Sequence, residues 1–589
     1  MAEIEKIELA ESSVPEEVSS DIDTPGEGIA EALTKEQVKP PKKFKINFDF
    51  LKSKKFQKWA LLGLGIFLLV FALPFVNVLF RARAVGKSAD ALIEASKSQE
   101  MPLIKDELGK TKTGLTKLKG ALRLIGWTKF IPFFGGYTRD AGHLVSAGTY
   151  GLEAAEIFVV TIEPYADIIG FTGGNVLGVE TEGGEKTTQE RLDFVVNTVP
   201  QLIPRVDEIA VKMKLVKEEV GEINPRRYPV RIGEREVRSR IVDAIAFVDQ
   251  FASFLVDGKE LIAASPYLLG LDAPRTYLVL FQNDKELRPT GGFMTGYSIM
   301  KVDRGRFEPV SSNDLYNLDD TYKPTIVAPA PIVDHLKGPY ILSNKLRLRD
   351  MNWDPDFEAS MQLFTEEAEK AGIEGIDGVI AVDTHLLVNL LNALGPIGVP
   401  EYGEFSTETV DECKCPQVIH ELESFADIEG PVVWDPAGTG KIVYAPPNYE
   451  NRKKIIGPLM NSIVANAMGQ PKDKLPGLFN AAFKSLFEKH ILFFLHDEVA
   501  QSAVESFGIA GKVKEYEGDY LMIVDANLGG RKSNLYTSQE VEQRYEVLKD
   551  GSVEKTVTIT YKNPEKHDGW LNSVLPNWVR VYVPEGAKL

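Results

Sequence analysis

The sequence contains few of the residue types that mark catalytic and metal centres. Its 589 residues include 2 cysteines and 7 histidines, and no two histidines are spaced as metal ligands on one predicted helix. The motifs HExxH and GxSxG, a phosphate-binding loop and a zinc ribbon are all absent. Their absence excludes the hydrolases and nucleoside triphosphatases that these motifs identify.

Both cysteines lie in the segment Cys413-Lys414-Cys415. With one residue between them an internal bridge is strained, and the neighbouring sequence offers no obvious further ligands for a metal. Two interpretations remain: a pair of exposed thiols, or an occasional strained disulfide. In either case the chain has no disulfide framework, so its stability has to come from hydrophobic cores.

An excess of basic charge is also missing. The formal net charge is −18, and a phosphate backbone needs clustered Lys and Arg, so nucleic acid is excluded as a partner. Residues 1–38 hold eleven Asp and Glu, two Lys and no aromatic residue, which predicts a disordered acidic tail. The whole chain is too long for one core and predicts about three or four folded units.

Formal charge is absent from residues 59–80, WALLGLGIFLLVFALPFVNVLF. As a helix these residues span about 33 Å, which crosses a bilayer. The basic segment 39–58 holds eight lysines and only three basic residues follow at 81–87, so the N-terminus is predicted in the cytoplasm and the bulk of the chain outside. Two alternatives are a cleaved signal peptide ending at Ala82-Arg83-Ala84 and a buried soluble helix.

The remaining chain predicts a multidomain protein. Residues 84–270 show helical spacing and predict an antiparallel helical bundle or stalk, in which WTKFIPFFGG at 127–136 is the corner of a helical hairpin or rests on a membrane surface. Residues 271–515 predict an α/β domain. Residues 520–589 alternate with period two and predict an antiparallel, immunoglobulin-like β domain of about four strands. So small a sheet leaves an edge, so we expect it to continue past Leu589 or to borrow strands.

The α/β domain has several predicted elements. They are a buried strand at 277–281, a polar loop followed by a strand hairpin, a helix at 358–371 capped by Asp354 or Asp356, a strand at 376–383, a helix at 384–394 and a turn at 395–399. Residues 451–511 are predicted as mainly helical, with an apolar face through Phe479, Phe483, Leu486, Ile491, Phe493 and Phe494.

The loop after the 277–281 strand is the predicted site. It carries Asn283, Lys285 and Arg288, and then Gly291 and Gly292, where backbone can approach a ligand closely. Arginine pairs with phosphate and aspartate with hydrated Mg²⁺, so this chemistry suits a pyrophosphate–metal ligand as well as plain ion pairs. His385 is the histidine nearest to this site in the predicted fold, and we interpret it as structural. Further loop residues of the same kind are Asp314, Asp319, Asp320, Arg347, Arg349, Asp350, Asp377 and Asp383.

Three stretches carry a family resemblance: FQNDKELRPTGGFMTGYSIMKVDRG, LRLRDMNWDPDFEAS and IDGVIAVDTHLLVNLLNALGPIGV. Over residues 277 to about 400 they resemble the bacterial extracytoplasmic family known as domain of unknown function 4012. More distantly, this region is similar to the core of the LytR-CpsA-Psr phosphotransferases. That resemblance implies an α/β fold that binds a polyprenyl-pyrophosphate-linked glycan in an apolar pocket, with Arg and Mg²⁺ on the pyrophosphate.

Position by position, Arg288 falls where the phosphotransferases place a loop arginine, and Asp314 falls near their later catalytic loop. The chain departs from their pattern elsewhere. It has Thr290-Gly291 where the family has Asp, Ser312-Asn313-Asp314 in place of Arg-Asp, Asn392 in place of an Asp, and Pro396 in the terminal turn. The Arg349-Asp350 pair can substitute from another loop.

Two functions are therefore expected. The first is a membrane-anchored, single-pass cell-envelope protein, non-catalytic, that binds wall polymer or another protein. The alternative is a Mg-dependent glycopolymer phosphotransferase acting on a lipid-linked glycan. In it Arg288, Arg349 and Asp350 are catalytic, Asn283, Lys285, Gly291 and Gly292 bind substrate, and Asp320 and Asp350 hold Mg²⁺.

Overall fold

The computed structural model describes residues 73–98, 100–132, 134–166, 184–233, 235–426, 453–471, 474–567 and 570–588, with isolated positions at 58, 62, 63, 65, 67, 433–435, 437 and 442–444. Residues 69–589 form one compact unit. The predicted acidic tail, the basic segment apart from Lys58, and most of the predicted transmembrane segment lie outside the described residues. Residues 73–80 of that segment are helical and begin the first long helix.

Five long helices make up the N-terminal region, which confirms its predicted helical character. They are α1 (Leu73–Ser98), α2 (Met101–Leu124), α3 (Gly135–Ile162), α4 (Gly184–Gly221) and α5 (Arg238–Leu268). In α2 the buried residues Ile104, Leu108, Leu115 and Leu118 recur at the spacing of one helix face. A second cluster joins Ala147 and Ala154 of α3 to Met213 and Val216 of α4. By length and composition α3 is also apolar enough to cross a membrane.

A tight turn joins α2 to α3. Residues Gly126–Phe130 form a 3₁₀ helix, and α3 then begins at Gly135, where a Cβ atom would lie 2.2 Å from the carbonyl oxygen of Lys129. Only glycine fits so close to backbone. The segment predicted as the corner of a helical hairpin occupies this turn.

A five-stranded mixed sheet is the centre of the molecule. Its strands are β1 (Arg275–Asn283), β2 (Phe293–Asp303), β3 (Arg306–Asp314), β4 (Gly378–Asp383) and β5 (Ile491–Leu495), in the order β5-β4-β1-β2-β3. Strands β1 and β4 are parallel and the other pairs antiparallel. The predicted buried strand at 277–281 is thus the central strand, and the predicted hairpin is β2–β3.

Both faces of the sheet are covered by packed side chains. Alternate side chains of β1 point to opposite faces, so each face contributes to a different core. Leu278 and Leu280 pack with Phe357 of the helix Phe357–Lys370 on one face. Tyr277 and Val279 pack on the other face with side chains from α5 and from the helix Glu498–Ser506. The last turns of α5 therefore share a core with the sheet. The shorter helices are α6 (Leu315–Thr321), α7 (Ala330–His335), α8 (Pro339–Leu342), α9 (Phe357–Lys370), α10 (Thr384–Leu394), α11 (Gln417–Ala426), α12 (Ile456–Gly469), α13 (Leu475–Phe487) and α14 (Glu498–Ser506).

Strand β5 corrects the predicted helical face through residue 494. Ile491, Phe493 and Phe494 belong to β5, which pairs with β4 from Ile491 opposite Val382 to Leu495 opposite Gly378. Helix α13 ends at Phe487. A continuous apolar run of five residues fits a buried strand as well as a helix, and here the free edge of β4 decided the outcome.

A third core lies beside the sheet and contains the two cysteines. Cys413 and Cys415 form a disulfide, and both are buried with Phe405, Val418 and Leu571. The interpretation as exposed thiols is therefore wrong, because the two-residue strand Cys415–Pro416 pairs with Thr409–Val410 inside this core. Part of the predicted turn at 395–399 is also a strand, Ile397–Val399, paired with Gly403–Phe405. Two further short pairs are Arg231–Ile232 with Arg235–Glu236 and Val433–Trp434 with Ile442–Tyr444.

The C-terminal region is antiparallel, as predicted. Strands β6 (Met522–Asn527) and β9 (Asn577–Tyr582) form one pair, and β7 (Ser538–Val547) and β8 (Val553–Lys562) form another. An immunoglobulin-like arrangement stays a prediction. This region also packs on the α/β unit, since the Asn527 amide donates to the Leu287 carbonyl at 2.9 Å.

Candidate functional site

Three chain segments meet at one edge of the central sheet. The parallel strands β1 and β4 end side by side, with Gln282 opposite Asp383, and the antiparallel strand β5 begins at the same edge. The Asp383 amide donates to the His490 carbonyl at 3.2 Å. Loops after the carboxyl ends of parallel strands commonly form ligand sites. Here they bring together polar side chains that are far apart in the sequence.

Two aspartate–histidine pairs lie at this edge. His385 Nδ1 is 2.7 Å from Asp284 Oδ2, and His490 Nδ1 is 2.7 Å from Asp383 Oδ2. The two imidazole rings stack, with centroids 4.6 Å apart and planes 14° apart. Since each Nδ1 is held by a carboxylate, the Nε2 of each ring faces other groups, and that of His490 lies 3.5 Å from Glu488 Oε2.

Asp383 also begins helix α10. Its Oδ1 accepts from the amides of His385 and Leu386, which satisfies two of the free amides at the start of that helix. One side chain thus fixes both the helix that carries His385 and the ring of His490. This cap explains why the predicted helix at 384–394 begins where it does.

The two carboxyl groups differ in their electrostatics. Burial alone would raise the pKa of Asp284, but the hydrogen bond with His385 and the charge of Lys285, whose Nζ is 2.6 Å away, hold that pKa well below its ordinary value. Burial raises the pKa of Asp383, and the negative charge of Asp284 raises it further. Such opposed shifts in neighbouring carboxyl groups are typical of functional sites and also occur in structural ion pairs.

The pairs line an open cleft of about 840 Å³ between the sheet edge and the C-terminal strands. Aromatic, amide and hydroxyl side chains from the C-terminal region form its far wall together with the carboxylate of Asp525, and Glu488 also lines the cleft. The cleft includes four lysines. The side chains of the far wall include Tyr520, Asn534, Thr537, Gln539 and Tyr561. The four lysines are Lys285, Lys489, Lys512 and Lys514.

The four lysines differ in how their charge is compensated. Lys512 is 3.0 Å from both Glu358 and Glu505, and Lys285 pairs with Asp284. Within the part of the chain that the structure describes, neither Lys489 nor Lys514 has a carboxylate partner. Burial lowers the pKa of Lys489, and the positive charge of Lys514 lowers it further.

The backbone at Lys489 is unusual for a lysine. Its φ of 67° lies in the left-handed region, directly after the end of α13, where the amides of Lys489 and His490 bond back to the Leu486 and Ser485 carbonyls. Glycine is the usual residue at this position of a helix end. The lysine Nζ donates to the carbonyl of Gly508, so the side chain is held at the cleft.

Asp383, His385 and His490 are also close enough to share a metal ion, with ligand atoms within 4.8 Å of one another. The ring arrangement does not fit one. A metal lies in the plane of each imidazole that binds it, and two stacked planes only 14° apart do not meet near the site. Two nitrogens and one carboxylate are also unsuited to Mg²⁺, which prefers oxygen ligands.

The predicted catalytic arginines lie away from the cleft, inside the protein. Arg288 is 3% exposed, donates to the carbonyls of Asn527 and Leu287, and lies 3.5 Å from Asp350. Arg349 is 8% exposed and donates to Asp319 Oδ2 at 2.5 Å. Both guanidinium groups are thus used in internal ion pairs, and their catalytic roles stay predictions.

The predicted Mg²⁺ ligands are also apart from the cleft. Asp350 is buried and accepts from the Tyr340 hydroxyl at 2.6 Å. Asp320 is exposed near the end of α6. Neither belongs to the set of His, Cys, Asp and Glu that the described residues bring within reach of one ion.

Of the predicted substrate-binding residues, Lys285 and Gly291 line the cleft. Asn283 is buried and donates to Glu423 Oε1 at 2.7 Å. At Gly292 a Cβ atom would lie 2.4 Å from the Asn283 carbonyl carbon. The close backbone approach predicted for this glycine is therefore made by the loop's own backbone.

A match to a known protein family covers most of the sheet strands that form the cleft. One family model, described as a protein of unknown function (DUF4012), matches residues 272–416. These residues belong to the DUF4012 family. No curated protein and no solved structure gives a significant match to the chain. The similarity to LytR-CpsA-Psr phosphotransferases stays a prediction.

The DUF4012 segment supplies only part of the cleft. Asp284, Asp383 and His385 lie within it, whereas Lys489, His490 and the far wall come from sequence after residue 416. Sequence reasoning missed His490 because residues 491–494 were assigned to a helix. Recognising the apolar run as a strand beside β4 would have placed His490 next to Asp383.

Proposed function

We propose that this chain is a membrane-anchored cell-envelope protein whose α/β unit holds an anionic glycan in the cleft without transforming it. The observation that carries this proposal is the pair Lys489 and Lys514. Both ammonium groups line the cleft without carboxylate partners in the described residues. Burial is the larger cause of the lowered pKa of Lys489, and repulsion from Lys514 lowers it further. A bound phosphate or carboxylate would relieve that repulsion.

The far wall of the cleft supports a glycan as the carrier of that anion. Tyr520 and Tyr561 line the cleft with aromatic rings, and Asn534, Thr537 and Gln539 line it with amide and hydroxyl groups. Some of these polar groups also bond within the protein, since the Thr537 hydroxyl donates to the Ser533 carbonyl and Gln539 Nε2 to Asp525 Oδ2. Sugars present hydroxyl groups for hydrogen bonding and apolar ring faces for packing, so this set of side chains is complementary to them. The open shape of the cleft suits a polymer better than an enclosed small molecule.

The buried arginines favour binding over catalysis. A pyrophosphate needs guanidinium groups that can reach it, and both Arg288 and Arg349 are engaged with Asp350 and Asp319 in the protein interior. One observation keeps the phosphotransferase as a second candidate. The two aspartate–histidine pairs place imidazole groups of the kind used in general acid–base catalysis at the same cleft.

The membrane part of the proposal rests on the uncharged stretch at 59–80. Its last eight residues begin α1, where Phe75 and Phe80 are 55% and 67% exposed. A chain that leaves a bilayer is expected to expose large apolar side chains just after its spanning apolar run. The start of α1 has this property. Extraction of the expressed chain at high pH tests this part, and release into the soluble fraction would contradict it.

Binding measurements test the glycan. We would titrate the full chain, in nanodiscs, with a glycerol-phosphate oligomer, an oligogalacturonate and neutral dextran. We expect binding of a polyanion with marked salt dependence and none of dextran. Comparing the affinities for the glycerol-phosphate oligomer and the oligogalacturonate would show whether the cleft prefers phosphate or carboxylate. Failure of both polyanions to bind, or equal binding of dextran, would refute the proposal.

Variants of the cleft sharpen the test. Lys489→Gln together with Lys514→Gln should weaken polyanion binding at least about tenfold, the loss expected for charged hydrogen bonds. Lys97→Gln, on exposed α1 surface, is the matched control and should bind like wild type. Transfer or hydrolysis of a polyprenyl-pyrophosphate glycan by the full chain, lost in His490→Gln, would instead establish the phosphotransferase.

A further inference from the structure

The N-terminal helices expose a set of large apolar side chains at one end. Phe130 is 90% exposed, and Phe134 and Leu124 are 66% and 62% exposed. On α1, Leu73, Phe75, Val76, Leu79 and Phe80 are all exposed. We call these side chains, together with the partly exposed Trp127, the apolar collar. Contiguous exposed apolar surface of this kind marks a contact with a partner or a membrane.

The two parts of the collar lie at the same end of an antiparallel helix pair. At the far end, Ala95 of α1 packs with Met101 of α2. Near the start of α1, Val78 packs in the cluster that holds Leu118 and Leu122, at the end of α2. The turn after α2 is therefore level with the first turns of α1. This is the end at which α1 follows the uncharged stretch.

Hydrogen bonds hold the turn after α2 in a fixed conformation. The Thr128 hydroxyl donates to the Ile125 carbonyl at 2.6 Å and lies 2.8 Å from the Thr138 hydroxyl. Tyr137, at the start of α3, ties the turn to the chain after α4, since its hydroxyl donates to the Arg227 carbonyl. These hydrogen bonds hold the turn in the conformation in which Phe130 and Phe134 are exposed.

Charge around the collar has one sign. Residues 108–139 contain seven Lys and Arg and no Asp or Glu, and residues 59–89 contain Arg81, Arg83 and Lys87 and no acidic residue. The whole chain carries a net charge of −18, so this basic region opposes the general trend. Basic side chains that flank exposed aromatic and aliphatic groups are complementary to the headgroups and the acyl boundary of an anionic bilayer.

We infer that the part of the apolar collar in the turn after α2, namely Leu124, Trp127, Phe130 and Phe134, rests in the headgroup region of an anionic phospholipid bilayer, beside the α1 residues that end the spanning stretch, and holds the helical bundle against the membrane. This inference rests on the proposed membrane anchor. It adds a second contact, through the turn between α2 and α3, that the anchor alone does not require. The bilayer is the occupant because the turn lies level with residues 73–80, which end the uncharged stretch, and because basic residues flank both parts of the collar.

Depth measurements on the full chain test the collar. The variants Phe130→Cys and Leu103→Cys each add one thiol, and the native cysteines are held in a buried disulfide. Leu103 is 39% exposed near the start of α2 and lies about 30 Å along that helix from the turn. It is the matched control. Each thiol would be labelled with an environment-sensitive fluorophore in proteoliposomes that contain phosphatidylglycerol and spin-labelled lipid.

We expect lipid-borne quenching at position 130 to be several times that at position 103, and to decrease when phosphatidylglycerol is replaced by phosphatidylcholine. Equal quenching at both positions overturns the inference. The inference is also overturned if shielding of the label at position 130 depends on the density of protein in the liposomes and not on the lipid. That result would show that the collar contacts a second copy of this chain. Flotation of the same liposomes separates the two proposals. Protein that floats without quenching at 130 retains its anchor and lacks the collar contact, whereas protein that does not float refutes the anchor.

Discussion

Replacing Arg288 by Met separates a structural role for this arginine from the predicted catalytic one. Its guanidinium group lies 3.5 Å from Asp350, 5.0 Å from the centre of the Phe293 ring, and donates to the Asn527 carbonyl. Methionine has a similar length and no charge. Arg288→Met therefore leaves Asp350 buried without its nearest guanidinium and removes a tie between the central loop and strand β6.

The expected loss of stability is large. Removing one partner of a buried ion pair costs about 3–5 kcal/mol when the other charge is left uncompensated. Here the loss should lie toward the lower end of that range, because Arg349 Nε remains 3.9 Å from Asp350 Oδ2. Folded domains are stable by only about 5–15 kcal/mol, so the variant should fold marginally or open locally. If the loss is confined to the docking of β6, its amides should exchange with solvent roughly a hundred to several thousand times faster.

Hydrogen exchange of the Asn527 amide is the assay, since this amide donates to the Leu287 carbonyl beside Arg288. Arg288→Met combined with Asp350→Asn should recover part of the loss, because no buried charge is then left alone. Lys285→Met, at the cleft, is the control and should leave this exchange unchanged. The structural account is refuted if Arg288→Met keeps wild-type exchange and stability yet abolishes ligand binding or turnover.

Three further predictions concern the cleft and its loop. A carboxyl group with a depressed folded pKa, as at Asp284, stabilises the fold above its unfolded pKa, and this contribution is lost as pH falls through the folded pKa. Urea titrations should therefore show wild type losing more stability than Asp284→Asn below the unfolded value of 3.8, and parallel pH curves would contradict this. Because the His490 ring lines the cleft, His490→Gln should weaken polyanion binding measured by calorimetry at one fixed pH; an unchanged affinity would remove the imidazole from the binding site. Gly292→Ala should cost about 1–3 kcal/mol by thermal unfolding, because its Cβ atom would lie 2.4 Å from backbone, whereas Gly398→Ala, with open space around it, should be nearly neutral; similar effects of the two would refute the argument.

Local patterns in the sequence predicted much of the α/β fold. The apolar run at 277–281 is a central strand, and the helix after Asp356 begins there because its carboxylate accepts from the Ala359 amide. In these cases neighbouring residues decide the outcome, through side-chain periodicity and helix capping. The segment at 491–495 failed because its partner, β4, lies more than a hundred residues earlier in the chain.

The predicted loop reaches the cleft through Lys285 and Gly291, whereas the predicted Arg288 and Arg349 are buried. Charge and the family resemblance pointed to Arg288, and charge pointed to Arg349, yet neither says whether a side chain points to solvent or into the protein. Their direction depends on Asp319 and Asp350, which reach them through tertiary contacts. His385 was assigned a structural role because its neighbour in space, His490, is 105 positions away.

By itself the sequence determined the elements with local causes: the helices of the N-terminal region, the buried strand and its hairpin, the capped helices, and the uncharged stretch with basic residues on either side. Only the tertiary structure decided which polar groups meet. Stacking of His385 on His490, burial of the arginine–aspartate pairs and alignment of the turn at 126–130 with the start of α1 all follow from strand and helix pairing. Such pairing joins residues far apart in the chain, and no local pattern records it.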